Sequence, residues 1–470
     1  MHGVAGGRRR FPSKGAMAKS YWNEITTQTR RHPNRIRTHF VGLPKIIELE
    51  PLSEAPTADI TIPGSKSITN RALVLAALSK GRTVLRGALW SEDTQVMTEC
   101  LERLGFQVAV SVDPNEPANR TIAVEGCGGR IPVAGGKESP LELFVGNAGT
   151  AARFLAALVC LGEGRYRLSG VPRMHERPQA ELFRALRTLG YRIESGNDRL
   201  PAVVDGGGAR SGRCVVSVEE SSQFASALIL VSRVGGWDVG VEGGDAEELP
   251  YVEMTRRMVE VFPWAGGDFP IEPDASSGSY FWAADAILGR GTRPLGRIRA
   301  ADWPVSGWQA DAAFPKYLPL SGVISRATDL ADSIMTAVVL APFAERPVTF
   351  THLGRLRVQE CERVMALRTE LLRCGGRVEE SGDTLTVHPS KLHGGEIETY
   401  GDHRIAMCFA VVGLKVSGVR LKDPRCVRKT FPNFFAKLAA PPPAGLGVRI
   451  RVPGCAAWLG ASELLAEESR

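Results

Sequence analysis

The chain has 470 residues, 43% of them hydrophobic and 23% charged, with a formal net charge of +7. That length suggests about three domains or two large ones, and no apolar run approaches the roughly 20 residues of a membrane span, so a globular protein is expected. The nine cysteines occur singly, without a Cys-x-x-Cys pair, which argues against a zinc site or a disulfide framework and for reduced, mostly buried thiols.

Residues 1–45 carry ten Lys and Arg against one acidic residue, Glu24, a balance of +9 that leaves the rest of the chain near −2. The basic character therefore belongs to this tail, which weakens a nucleic-acid reading, because an electrostatic footprint should sit on the folded surface. With Arg8-Arg9-Arg10, Arg30-Arg31 and little hydrophobic periodicity, the tail reads as disordered. It suits an organelle transit peptide, or an over-long start given the second Met at position 17.

Residues 63–71 read Pro-Gly-Ser-Lys-Ser-Ile-Thr-Asn-Arg, followed by the apolar run Ala72–Leu78. A turn thus delivers hydroxyls, Lys66 and Arg71 to a helix start, where free N–H groups and the helix dipole attract anions. The spacing is not that of the Gly-x-x-x-x-Gly-Lys phosphate loop, so an ATPase is not implied. An ordinary capped helix start is the competing reading of this motif alone.

The pattern recurs in altered form. Asn147 to Arg153 opens a second apolar run, Ser221-Ser222-Gln223 a third, Asp274 to Ser277 a fourth, Asp329 to Asp332 a fifth and Tyr400 to Arg404 a sixth. Second helices are expected at Thr94–Leu104, Ala180–Leu189 and Glu360–Cys374, each ending at Gly, with short strands between, such as Val348–Phe350 and Leu385–Val387. Six degenerate copies of one unit predict an α/β architecture built by repetition. Lys66, Arg71, Arg173, Arg363, Arg404 and Lys429 all fall at the boundaries of these units. Helix starts sharing one surface would bring them into a cationic cleft holding Glu360, Asp332 and His403, suited to a polyanionic small substrate and proton transfer. Taken singly, each of these charges is as well explained by a solvated face or surface ion pair. Pro441-Pro442-Pro443 marks the end of the compact fold, and residues 441–470 are expected to be an appendage.

Seven segments together resemble the EPSP synthase family of enolpyruvyl transferases. They are 63–71, Gly-Asn-Ala-Gly-Thr-Ala-Ala-Arg at 146–153, Arg-Met-His-Glu-Arg-Pro at 173–178, Ser-Ser-Gln-Phe at 221–224, Asp-Ala-Ser-Ser at 274–277, Asp-His-Arg at 402–404 and Lys-Thr-Phe-Pro at 429–432. They run in order through nearly the whole body. The resemblance implies a two-domain enolpyruvyl-transferase fold of six α/β units, helices inside and sheets outside each domain. One domain is discontinuous (46–62 plus 274–440) and the other spans 63–273, with chain crossings near Ile62 and Asp274. It implies transfer of the enolpyruvyl group of phosphoenolpyruvate to the 5-hydroxyl of shikimate 3-phosphate, with phosphate released and no metal or other cofactor required. A monomer in the cytoplasm, with these two small molecules as partners and neither nucleic acid nor membrane, is expected.

By the same resemblance, Lys66 and Glu360 would handle protons, Asp332 would grip and help deprotonate the acceptor hydroxyl, and His403 would support the site. Lys66, Gly149, Arg173, Gln223, Arg363, Arg404 and Lys429 would bind phosphoenolpyruvate. Lys66, Ser67, Arg71, Ser221, Ser222, Gln223, Tyr251, Asp332, Arg355 and Gln359 would bind shikimate 3-phosphate. Three positions depart from the family pattern: Gln359 stands where a Lys is usual, Glu248 where a Ser is usual, and Arg355 where an Asn is usual. Arg355 is expected to replace the missing Lys as phosphate ligand, since a guanidinium offers a bidentate fork. Gly149 leaves room in the phosphoenolpyruvate pocket, so glyphosate is expected to compete there. Rival readings are transfer to a different acceptor hydroxyl, suggested by Gln359 and Glu248, and a non-catalytic binding protein, against which Lys66, Asp332 and Glu360 speak.

Overall fold

The computed structural model describes residues 42–243 and 249–466. The expectations for the basic tail and for Glu248 therefore lie outside the described residues, apart from positions 42–45, where Leu43 is already buried.

Among the described residues the strands form six sheets. In one, Leu141–Phe144 pairs in parallel with Arg165–Ser169, which is antiparallel to Ala202–Asp205, with Arg192–Glu194 at the edge. The same order recurs in Gly267–Pro270, Lys80–Leu89, Asn119–Cys127 and Gln107–Val112, and again in Gly322–Ser325, Val348–Thr351, Thr384–His388 and Arg377–Ser381. The parallel pairs Gly212–Ser217 with Trp237–Glu242 and Ala58–Ile60 with Ile298–Ala300 are shortened versions. In the sixth sheet, Glu396–Ile397 and Arg420–Lys422 are completed by Ile46–Leu49 and Ile450–Arg451.

A parallel pair cannot be joined by a tight turn, and four of the pairs use a helix for the connection, Gly149–Leu158, Ser222–Gly235, Ile334–Leu340 and His403–Gly413. The two other inner helices, Lys66–Leu78 and Ala275–Leu288, each lead from one sheet to another, from Ala58–Ile60 to Lys80–Leu89 and from Gly267–Pro270 to Ile298–Ala300. All six are apolar nearly all round, and every residue of Gly149–Leu158, Ile334–Leu340 and His403–Gly413 is buried. Amphipathic second helices, such as Glu92–Arg103 and Arg363–Arg373, cover the outside and end at glycines in the left-handed region, Gly105 at φ 87° and Gly375 at φ 83°.

Burial divides into two cores. One takes residues from Leu43 to Ile62 and from Tyr280 to Ala466, the other residues from Ile68 to Ile271. The two passages of the chain between them lie side by side: Asp274 N donates to Pro63 O at 2.9 Å and Ser65 N to Glu272 O at 2.8 Å. Gly64 is required there, because a Cβ would sit 2.0 Å from the Gly87 carbonyl oxygen.

Two expectations need correction. The segment after Pro443 is no appendage. Leu446, Val448, Ile450, Leu464 and Ala466 are buried in the first core, and Ile450–Arg451 adds a strand beside Ile46–Leu49. The helix expected over Glu360–Cys374 begins only at Arg363. Glu362 caps it by accepting from Met365 N, so Glu360 stands before the helix rather than on it.

Candidate active site

Each of the six inner helices brings residues at or just before its start to one cavity of about 490 Å³. Lys66, Thr150, Ser222 and Gln223, Ser276, Asp332, and His403 and Arg404 all line it. Ser221, Asp274 and Asp402 cap their own helices through the side chain, whereas Ser65 and Ala148 provide no side-chain cap. The starts of Lys66–Leu78 and Gly149–Leu158 therefore keep unsatisfied N–H groups and the positive end of the dipole at the cavity, where an anion satisfies both.

Facing these ends is a network of alternating charge. Asp332 Oδ2 lies 3.0 Å from Arg404, and its Oδ1 lies 3.6 Å from Arg326 and 3.8 Å from Arg363. Burial alone would raise this carboxyl, but Arg404, Arg363 and Arg326 outweigh it and bring it down to about 2. Asp332 Oδ1 is buried and accepts no hydrogen bond among the described residues. Glu360 pairs with Lys429 and with Arg363, each at 3.1 Å. Burial opposes its ionisation, yet Lys429, Arg363 and Lys66 hold it well below the usual carboxylate range. Arg363, 1% exposed, also donates to Asp402 at 2.7 Å. Lys66 pairs with Asp93 at 3.1 Å.

His403 is buried. Desolvation, reinforced by the Arg404 charge, lowers it far below the usual histidine value, so the imidazole is neutral. Its Nδ1 lies 3.7 Å from Asp402 Oδ1 and makes no hydrogen bond among the described residues. Asp311 stands behind Asp332, accepting from Ala331 N at 2.8 Å and from the Ser333 hydroxyl at 2.6 Å, and burial raises its carboxyl. Ser67, Arg71, Ser221 and Tyr251 also line the cavity. Arg71 is buried and spent on structure, donating to Thr255 at 2.7 Å, Ser67 O at 2.9 Å and Ser226 at 3.0 Å.

The structure rearranges part of the expected set. Arg173 is half exposed and pairs with Glu176 at 2.6 Å, away from the cavity. Arg177 lines the cavity instead, held by the Asn147 carbonyl at 3.3 Å. The reason is local. Pro172–Glu176 forms one helical turn that carries Arg173 outward, and the Arg177-Pro178 bond returns the chain to extended backbone. Arg153, which the motif reading quoted without assigning a role, donates to Gln223 at 3.0 Å and to Pro178 O at 2.9 Å. Gly149 sits under both guanidiniums, since a Cβ would lie 2.5 Å from Arg153 Nη1 and 2.6 Å from Arg177 Nη2. Arg326 and Asp311 were likewise missed, having no motif around them. Arg355 reaches the cavity, but its guanidinium donates to the carbonyls of Glu219 and Glu220, at 2.8 Å for Glu219. The Gln359 carbonyl oxygen accepts from Arg363, so Gln359 orients that guanidinium.

A sequence model described as EPSP synthase (3-phosphoshikimate 1-carboxyvinyltransferase) matches residues 53–314 and 304–438. A 3-phosphoshikimate 1-carboxyvinyltransferase of Nostoc punctiforme is 37% identical over 83% of this chain and 98% of its own length. The chloroplastic 3-phosphoshikimate 1-carboxyvinyltransferase 1 of Nicotiana tabacum is 36% identical over 89% and 90%. Among solved structures, EPSP synthase from Acinetobacter baumannii superposes with a TM-score of 0.64 at 20% identity, covering 87% of this chain and 100% of that one, which shows the same fold.

Proposed function

The chain belongs to the EPSP synthase family, and from that membership we propose how its cavity carries the family reaction. The reaction transfers the enolpyruvyl group of phosphoenolpyruvate to the 5-hydroxyl of shikimate 3-phosphate and releases phosphate, on the route to chorismate and the aromatic amino acids. The observation that carries the assignment of roles is the meeting of six helix starts at one cavity whose cations and carboxylates alternate.

Phosphoenolpyruvate brings a phosphate and a carboxylate. Arg177, Arg363 and Arg404 at the cavity, and Lys429 paired with the lining Glu360, supply the charge for both, with Lys66, Gln223 and the open helix start at Gly149. Shikimate 3-phosphate lies along Ser67, Ser221, Ser222, Tyr251, Arg355 and Gln359, over the frame fixed by Arg71. Asp332, whose side chain lines the cavity, meets the 5-hydroxyl. A carboxylate held at about 2 is a weak base, so its part is to accept a hydrogen bond and orient the hydroxyl rather than to keep the proton.

In the addition the hydroxyl oxygen bonds to C2 of phosphoenolpyruvate, the double-bond electrons take a proton at C3, and the hydroxyl proton leaves. In the elimination the C2–O bond to phosphate breaks, C3 gives up a proton and the double bond returns. Lys66 and Glu360 exchange these protons. Lys66 pairs with Asp93 and Glu360 with Lys429; Lys429 keeps Glu360 ionised in the resting site, so Glu360 takes a proton only as the substrate anions draw that cation away. Neutral His403, beside Glu360, preserves the packing of this corner.

We read the two cores as two domains, 42–62 with 274–466 and 63–273, which close on the substrates as a monomeric cytoplasmic enzyme. Purified protein should release phosphate from phosphoenolpyruvate with shikimate 3-phosphate, and glyphosate should raise KM for phosphoenolpyruvate without lowering kcat. No release with shikimate 3-phosphate, or release with another acceptor, refutes the assignment. Full activity in millimolar glyphosate refutes the competition.

A further inference from the structure

Arg199 lies in the turn between strands Arg192–Glu194 and Ala202–Asp205 and lines the cavity. Its sheet explains why. Arg165–Ser169 and Arg192–Glu194 are both antiparallel to Ala202–Asp205, so they run the same way. The first leads into the Arg177-Pro178 wall, and the turn after the second emerges at the same end. The turn is braced: Arg199 N donates to Ser195 Oγ at 3.1 Å and to Asn197 Oδ1 at 3.2 Å, and the Ser195 hydroxyl donates to Arg199 O at 2.6 Å. The neighbouring Asp198 is taken by Arg187 at 2.8 Å and does not neutralise Arg199.

The cavity's other cations are largely committed. Lys66 has Asp93, Arg363 has Glu360 and Asp402, Arg404 and Arg326 have Asp332, and Arg355 has two carbonyls. The Arg199 side chain makes no hydrogen bond or ion pair among the described residues. On the same half of the molecule, Ser221 and Ser222 line the cavity, Ser221 already caps its own helix, and the backbone carbonyls of Glu219 and Glu220 hold Arg355. Among the described residues Arg199 is thus the cavity-lining cation left without a partner, on the half that carries Ser221 and Ser222.

We propose that Arg199 is a specificity-determining residue that binds the phosphate of the acceptor substrate. This rests on shikimate 3-phosphate being the acceptor. Its guanidinium offers two parallel N–H groups to a phosphate, and its exposure lets it fold over the acceptor after entry.

The test measures KM for both substrates, and kcat/KM for shikimate 3-phosphate and for phosphate-free shikimate, in wild type, Arg199→Ala and Arg199→Lys. Loss of a charge-assisted contact predicts a rise of about tenfold to a hundredfold in KM for shikimate 3-phosphate with Arg199→Ala. KM for phosphoenolpyruvate should stay within about twofold, and Arg199→Lys should recover part of the loss. Preference for the phosphorylated over the phosphate-free acceptor should fall by the same factor. An unchanged KM for shikimate 3-phosphate, or an equal loss with both acceptors, overturns the proposal. A wild type without turnover on shikimate 3-phosphate overturns the acceptor assignment itself; binding of that compound to wild type and Arg199→Ala by calorimetry then decides whether Arg199 contacts a phosphate.

Discussion

Arg173 and Arg177 stand four positions apart in one six-residue motif, yet only Arg177 lines the cavity. Counting cations at unit boundaries cannot separate them. The backbone constraint before Pro178 could have done so, because it ends the short helix at Arg177. Arg177→Ala should therefore raise KM for phosphoenolpyruvate by an order of magnitude or more, while Arg173→Ala should leave steady-state kinetics within about twofold of wild type. Equal effects would place both arginines at the substrate. Asp332 was legible as a site residue, but its low carboxyl value was not, because Arg326, Arg363 and Arg404 come from three separate segments. Its folded-state value lies below the ordinary 3.8, so its stabilisation is complete above about pH 4 and disappears as pH falls through about 2. The shift corresponds to about 2 kcal/mol. The stability gap between wild type and Asp332→Asn in denaturant should hold from neutral pH to about pH 5 and narrow at about pH 3; a gap that does not move contradicts this origin.

The inner helices were legible because their apolar runs are long and uninterrupted, and their polar starts mark where each enters the cavity. Boundaries were less so where a single turn changes type. Gly354–Val358 forms a 3-10 turn held by Arg357, which pairs with Glu362 at 2.6 Å and Glu380 at 2.7 Å, and this delays the following helix to Arg363. The C-terminal strand carried its own signal in the alternation Leu446, Val448, Ile450, buried at every second position, which the three prolines before it obscured. At the start of Gly149–Leu158 the missing side chain is filled by two guanidiniums. Gly149→Ala should displace Arg153 and Arg177 and raise KM for phosphoenolpyruvate several-fold with little change in melting temperature. A large loss of melting temperature at unchanged KM would assign Gly149 to folding instead.

At the scale of the molecule, the two cores are joined beside a buried carboxylate. Glu116 accepts from the Thr61 hydroxyl at 2.7 Å, Asn433 at 2.7 Å and Ala118 N at 3.1 Å, and pairs with Lys437. Thr61, Asn433 and Lys437 belong to one half and Glu116 to the other. Glu116→Ala strips a half-buried lysine and a buried amide of their acceptor, and should lower the unfolding free energy by roughly 3 kcal/mol. Loss of less than about 0.5 kcal/mol in denaturant unfolding would show that water replaces the carboxylate. The strand Ile46–Leu49 has a different consequence. Both its partners, Arg420–Lys422 and Ile450–Arg451, are made last. At ordinary synthesis rates the strand waits roughly twenty to seventy seconds on the ribosome while some 370 residues are added. Meanwhile the half from Pro63 to Asp274 meets its own ends and can close. The first of the described strands to be translated is thus the last to be paired, and through that interval its two open edges need shielding from other nascent chains.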